Sequence, residues 1–189
     1  MFDNIAGRVK NDFAHARFKA FWNRILNILG GQPTTLLSYD EVKEKLHIGG
    51  PIYRGVRTVE VKKIVGSLNR YHQFDRAFLP LEDQVANRWQ SIDRAFYQDI
   101  NLPPVVLYKI GEVYFVVDGH HRVSVAREQG QLAIDAEVRE CSTKVNITPT
   151  SNQRIWKSSG KKCTSSNIPG WIASGQKLTS NLPFQMVST

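Results

Sequence analysis

The stretch Val116 to Gly130, VVDGHHRVSVAREQG, decides the fold of this chain. Its apolar opening ends at Asp118 and Gly119, as a strand does before a turn. A helix follows over Val123 to Gln129, and Gly130 stands at the left-handed position that terminates it. The segment Gly119-His120-His121-Arg122 therefore joins a strand to a helix. A glycine there lets the backbone approach a ligand, and the first N–H groups of the helix have no internal acceptors. Such a junction suits an anion, because the helix dipole adds partial positive charge and Arg122 can clamp phosphate oxygens. His120 and His121 can hydrogen-bond phosphate, work as acid or base, or ligate a metal, while Asp118 can hold magnesium or orient a histidine. The structural alternative makes Asp118 a helix cap, the histidines packing groups and Arg122 the partner of a nearby acid.

Working outward, VVLYKIGEVYFVV reads as a hairpin around Ile110-Gly111-Glu112, whose second strand delivers Asp118. After Gly130, LAIDAEVRE alternates Leu132, Ile134, Ala136 and Val138 against charged neighbours, as a half-buried strand does. Upstream, Val85, Trp89, Ile92, Phe96 and Ile100 recur at helical spacing and are stopped by Asn101 and Pro103-Pro104. Before them, TVEVKKIVG from Thr58 to Gly66 reads as one strand, followed by the loop SLNRYHQFDRAFLP. In that loop Tyr71, Phe74 and Phe78 either stack on a base or pack the loop on the core. Ser38 and Glu41 form a capping box for a short helix to Leu46.

At the N-terminus Ile5, Val9, Phe13, Phe21, Ile25 and Leu29 recur at multiples of four among basic residues. The expectation is an amphipathic helix docked on the domain, with a membrane surface or a partner as the alternative. The fold class is α+β, a small mixed β-sheet with flanking helices, an N-terminal amphipathic helix and an irregular C-terminal tail. The expected divisions are a helical extension over 1–50, the sheet domain over 51–149 and a basic tail over 150–189. The core is expected to bury Val59, Val61, Ile64, Val85, Trp89, Phe96, Val106, Phe115, Val117, Val125 and Val138.

The chain has 189 residues and a net charge of +8. Five of its basic residues and none of its acidic ones lie from Thr150 onward, so the charge is concentrated in the tail and argues little for nucleic acid. That tail carries eight serines and no periodicity. It is either a disordered tail or, from about Ser151, an out-of-frame translation, since permissive codons for Asn152 to Thr179 can encode an acidic, amphipathic peptide in a shifted frame. The coding DNA distinguishes the two. With no apolar run of about eighteen residues, no signal-peptide core and two cysteines without metal spacing, the expected setting is the cytoplasm, with free thiols and no membrane span.

From about Val59 to Glu140 the order of strand, loop, helix, hairpin and Asp-Gly-His-His-Arg turn resembles the ParB/sulfiredoxin superfamily, whose Gly-x-x-Arg turn holds nucleotide phosphates. The resemblance implies a nucleotide such as ATP, ADP or CTP, with magnesium, bound by Gly119, His120, His121 and Arg122, with help from Ser67 and Arg70 of the loop. Sulfiredoxins carry cysteine where this chain has His120, so their sulfur chemistry is not expected. Partition proteins continue into a second nucleotide-contacting segment and a helix-turn-helix that are not recognisable here. The Asp-Gly-His-His-Arg form is most similar to the free-serine-kinase branch. That similarity implies phosphotransfer to a small hydroxyl substrate, with Glu60 as base, Asp118 on the metal and His121 in the chemistry. Glu60 is otherwise an exposed strand residue. The rival from another class is a non-catalytic ParB-like module that binds DNA or regulates a partner.

Overall fold

The computed structural model describes residues 2–31, 34–69 and 72–143. The expected tail and Arg70 lie outside the described residues. Four helices, α1 (Phe2–Leu29), α2 (Tyr39–Leu46), α3 (Ala86–Tyr97) and α4 (His120–Glu128), surround six strands. These are β1 (Leu37–Ser38), β2 (Pro51–Glu60), β3 (Ile64–Ser67), β4 (Val105–Ile110), β5 (Val113–Asp118) and β6 (Ala133–Cys141). They form one mixed sheet in the order β1-β3-β5-β4-β6-β2. The class is α+β, as the sequence implies.

Thr58 to Gly66 is two strands rather than one. Thr58, Val59 and Glu60 pair with β6, whereas Ile64, Gly66 and Ser67 pair with β5, and a 3-10 turn at Val61–Lys63 separates the two sets. Three other strands lie between β2 and β3 in the sheet. On a flat sheet that would be about 19 Å. Four residues reach at most about 14 Å, so the sheet curls until its two ends approach each other. Arg127 of α4 closes the gap by donating to the carbonyls of Val61 at 3.1 Å and Ile64 at 2.5 Å. Burial pushes its pKa down to about 10, an effect that Asp75 partly opposes.

α4 packs within the curl, where Val123 meets Val59, Ile64, Leu107, Val116 and Val138. Phe74 and Phe78 are fully buried in the same cluster, so these two pack on the core and do not await a base, while Tyr71 lies outside the described residues. Buried Asp75 holds that loop, its carboxylate accepting the N–H groups of Ala77 and Leu79 at 2.8 Å each. On the opposite face α2 covers Ile110, Val113, Phe115 and Cys141. Ser38 caps α2 by accepting the N–H of Glu41 at 3.5 Å, as the capping box predicts. β1 joins the sheet beside β3, so residues ahead of 51 complete it.

Val106, Val117 and Phe96 are half-buried, unlike the other eight expected core residues. By alternation Val106 and Val117 lie on the α2 face, and the eight-residue α2 is too short to cover that end of it. Leu132, expected on the inner face of its strand, is exposed, since β6 begins one residue later.

α1 meets α3 and α4 through Phe13, Ala16 and Ala20, which pack with Trp89 and Val125. The buried line of α1 runs through Val9, Phe13, Ala16 and Ala20 and leaves Phe21 and Leu29 exposed. Steps of four residues advance roughly 40° beyond a full turn, so the series from Ile5 to Leu29 winds about 240° around the helix and cannot all face the domain.

Candidate functional site

Asp118 ends β5 and Gly119 turns the chain, with φ at +96°, into the first residue of α4. His120, His121 and Arg122 thus form the first turn of the helix, whose N–H groups lack intrahelical acceptors. The need for glycine is set by packing. A Cβ at Gly119 would lie 2.6 Å from Cγ1 of Val105 and 3.0 Å from Nε and Nη2 of Arg122. Glycine is required here by the protein itself, whether or not phosphate approaches.

The two histidines are buried and back onto Phe74. His120 stacks with that ring at 6.3 Å between centroids, and His121 meets it edge-on at 5.4 Å. His120 Nε2 and the Ser67 hydroxyl are 2.7 Å apart, which ties the end of β3 to the turn. Ser67 is fully buried.

Arg122 is engaged by its own surroundings. It donates to the carbonyl of Pro103, to that of Pro104 at 3.1 Å and to Oδ2 of Asp118 at 2.8 Å. The acidic-neighbour alternative for Arg122 is therefore realised, with Asp118 as its ion-pair partner. A cleft of ≈ 70 Å³ opens on the turn, lined by Asp118 to Arg122 together with Arg88 and Ile92 of α3. Arg122 also lines a second cavity of ≈ 440 Å³, walled by Phe96, Leu102, Pro103 and Asp135 among others. The two spaces share the Arg122 side chain.

The structure brings together Ser67, Asp118, Gly119, His120, His121 and Arg122. It does not bring Glu60 to them. Glu60 precedes β3, at the end of the sheet where α4 finishes, and lines a separate cavity with Arg127 and Glu128. The rise along α4 puts that end about 12 Å from the turn. Glu60 is paired with Lys62 at 2.8 Å and Lys63 at 2.6 Å, and these ammonium groups hold its carboxyl down to about 2. Exposed Arg88 was not singled out in the sequence. Nothing local distinguishes it from any other helix arginine; the packing of α3 on α4, fixed by the bond from Trp89 Nε1 to Ser124 Oγ at 2.9 Å, carries it to the cleft.

Part of this chain is similar to solved structures. Among them is sulfiredoxin from Arabidopsis thaliana, 18% identical, with a TM-score of 0.36, the match covering 46% of this chain and 86% of that one. This degree of likeness assigns no ligand and no residue role. No protein-family model matches the chain, and no curated protein matches it.

Among the described residues no helix is long and apolar enough to cross a membrane, and no three His, Cys, Asp or Glu side chains form a metal-binding group. Cys141 is buried as a free thiol; Cys163 lies outside the described residues.

Proposed function

We propose that the first turn of α4 binds a phosphate group of a nucleotide, in a domain of the ParB/sulfiredoxin type. The order of elements and the strand-Gly-x-x-Arg-helix junction support that placement. The observation that carries it is the pair of spaces meeting at Arg122. The small cleft has phosphate dimensions, and its one carboxylate, Asp118, is ion-paired with Arg122, which leaves the helix N-terminus, Arg88 and two imidazoles. The neighbouring cavity falls within the range of small-molecule pockets and would take the nucleoside.

Magnesium belongs to this proposal as a companion of the phosphates. Asp118 has one oxygen not used by Arg122 and could complete a coordination sphere supplied otherwise by phosphate and water. If a hydroxyl substrate is phosphorylated, Asp118 and His121 are the groups near enough to handle its proton.

Calorimetric titration with ATP, ADP and CTP, with and without magnesium, tests the proposal, using wild type and Arg88→Ala. Arg88 is exposed, so its loss leaves the fold alone. Binding to the wild type that weakens by about 1.5 to 3 kcal/mol in the variant supports the site. No binding by any of the three, or equal affinity in both proteins, removes it. Salt-sensitive binding to mixed DNA in its place would favour the non-catalytic module.

A further inference from the structure

We propose that the outward face of the second half of α1 binds an anionic lipid surface as an in-plane anchor. This does not depend on the phosphate site. Val9, Phe13, Ala16 and Ala20 define the side of α1 that is buried on the domain. With each residue advancing roughly 100°, Phe18, Phe21, Trp22, Ile25 and Leu29 all fall within about 70° of the opposite direction. Phe18 is 60% exposed, Phe21 56%, Trp22 47% and Leu29 79%, and Leu26 and Ile28 widen the stripe. Phe18 and Phe21 each meet the Trp22 ring edge-on, making one exposed aromatic patch. α1 thus has two apolar faces, a small-residue face against its own domain and a large aromatic one away from it.

Charge identifies the occupant. No acidic residue lies between Asp12 and Asp40, whereas Arg17 and Lys19 fall on the flanks of the stripe and Arg24 lies further round, about 130° from its centre. Lys19 and Arg17 lean back to Glu128 and Asp83 of the domain, while Arg24 makes no ion pair among the described residues. A second copy would set identical basic flanks against each other. An anionic bilayer offers apolar depth and negative charge in one plane, which matches a stripe about 17 Å long with aromatic rings at headgroup level and basic side chains able to reach outward.

The full chain is floated with vesicles of phosphatidylcholine alone and of equal parts phosphatidylcholine and phosphatidylglycerol, at low and high salt. Wild type should float with the anionic vesicles, less so at high salt and little with the neutral ones. The double variant Phe21→Ser with Leu29→Ser alters two exposed side chains, so its circular dichroism and melting should match wild type. Its partitioning should fall at least about tenfold, since two buried apolar contacts are lost. Flotation unchanged in the variant, flotation equal on both lipids, or none at all overturns the proposal. A wild type that does not float but sediments as a dimer, with a monomeric variant, assigns the face to a second copy.

Discussion

The hydroxyl of Ser67 and Nε2 of His120 share a buried hydrogen bond of 2.7 Å, and through it the end of β3 is fastened to the first residue of α4. Fifty-three positions of sequence separate the two residues. Ser67→Ala should therefore destabilise the protein by about 1 kcal/mol, measured by urea unfolding. It should also weaken nucleotide binding more than the stability loss alone requires, because the imidazole beside the phosphate cleft loses its tether. An alanine variant of wild-type stability would show that the pair is not a structural tie.

Gly119→Ala should cost at least about 2 kcal/mol, combining the left-handed backbone with the contact of the new methyl on Val105. The loss should appear equally with and without nucleotide, because the contact lies within the protein. Thermal unfolding under both conditions checks this.

Arg122→Ala should lower stability as well as affinity. The guanidinium holds the carbonyls of Pro103 and Pro104 and the carboxylate of Asp118, so its removal frees the segment that leads into β4. A loss of about 1 to 3 kcal/mol in unfolding free energy is expected, alongside weaker nucleotide binding. Unfolding and titration measured on one preparation separate the two effects, and unchanged stability would mean that these bonds contribute nothing net.

Glu60→Gln should leave nucleotide affinity as it is, since the carboxylate sits at the far end of α4 between Lys62 and Lys63. A carboxyl held down to about 2 is also a poor base near neutral pH. A Glu60→Gln protein that binds nucleotide but has lost turnover would show that the loop after β2 rearranges to bring the carboxylate to the turn.

Asp93 is fully buried between α1 and α4, with Gln129 donating to it at 2.7 Å. Burial first, and neighbouring Asp12 after it, raises its pKa from 3.8 to about 6, against the opposing bond from Gln129. The folded state therefore keeps a proton that the unfolded chain releases, and stability from this group is highest in acid and falls as pH rises from about 4 through about 6. Asp93→Asn should remove that slope and stabilise the protein above pH 6 by about 1 to 3 kcal/mol. Unfolding curves across that range that are parallel in both proteins would contradict it.

The sequence by itself determined the local elements. The capping pair Ser38 and Glu41, the hairpin before Asp118 and the left-handed Gly130 are written in neighbouring residues and are found where the pattern places them, whereas the helix through Trp89 ends at Tyr97, short of exposed Ile100 and of the prolines expected to stop it. The strand-to-helix junction at Gly119 is also written locally, because backbone freedom and helix start signals act over a few positions. Tertiary structure alone decided the rest. Whether Thr58 to Gly66 was one strand or two depended on which neighbours paired with each half, and the curl of the sheet sent Val59 to β6 and Ile64 to β5. The same curl set Glu60 apart from the turn, and packing of α3 on α4 brought Arg88 to it. Pairing partners and helix crossings are chosen by surfaces that meet only after the chain has folded, so no local window records them.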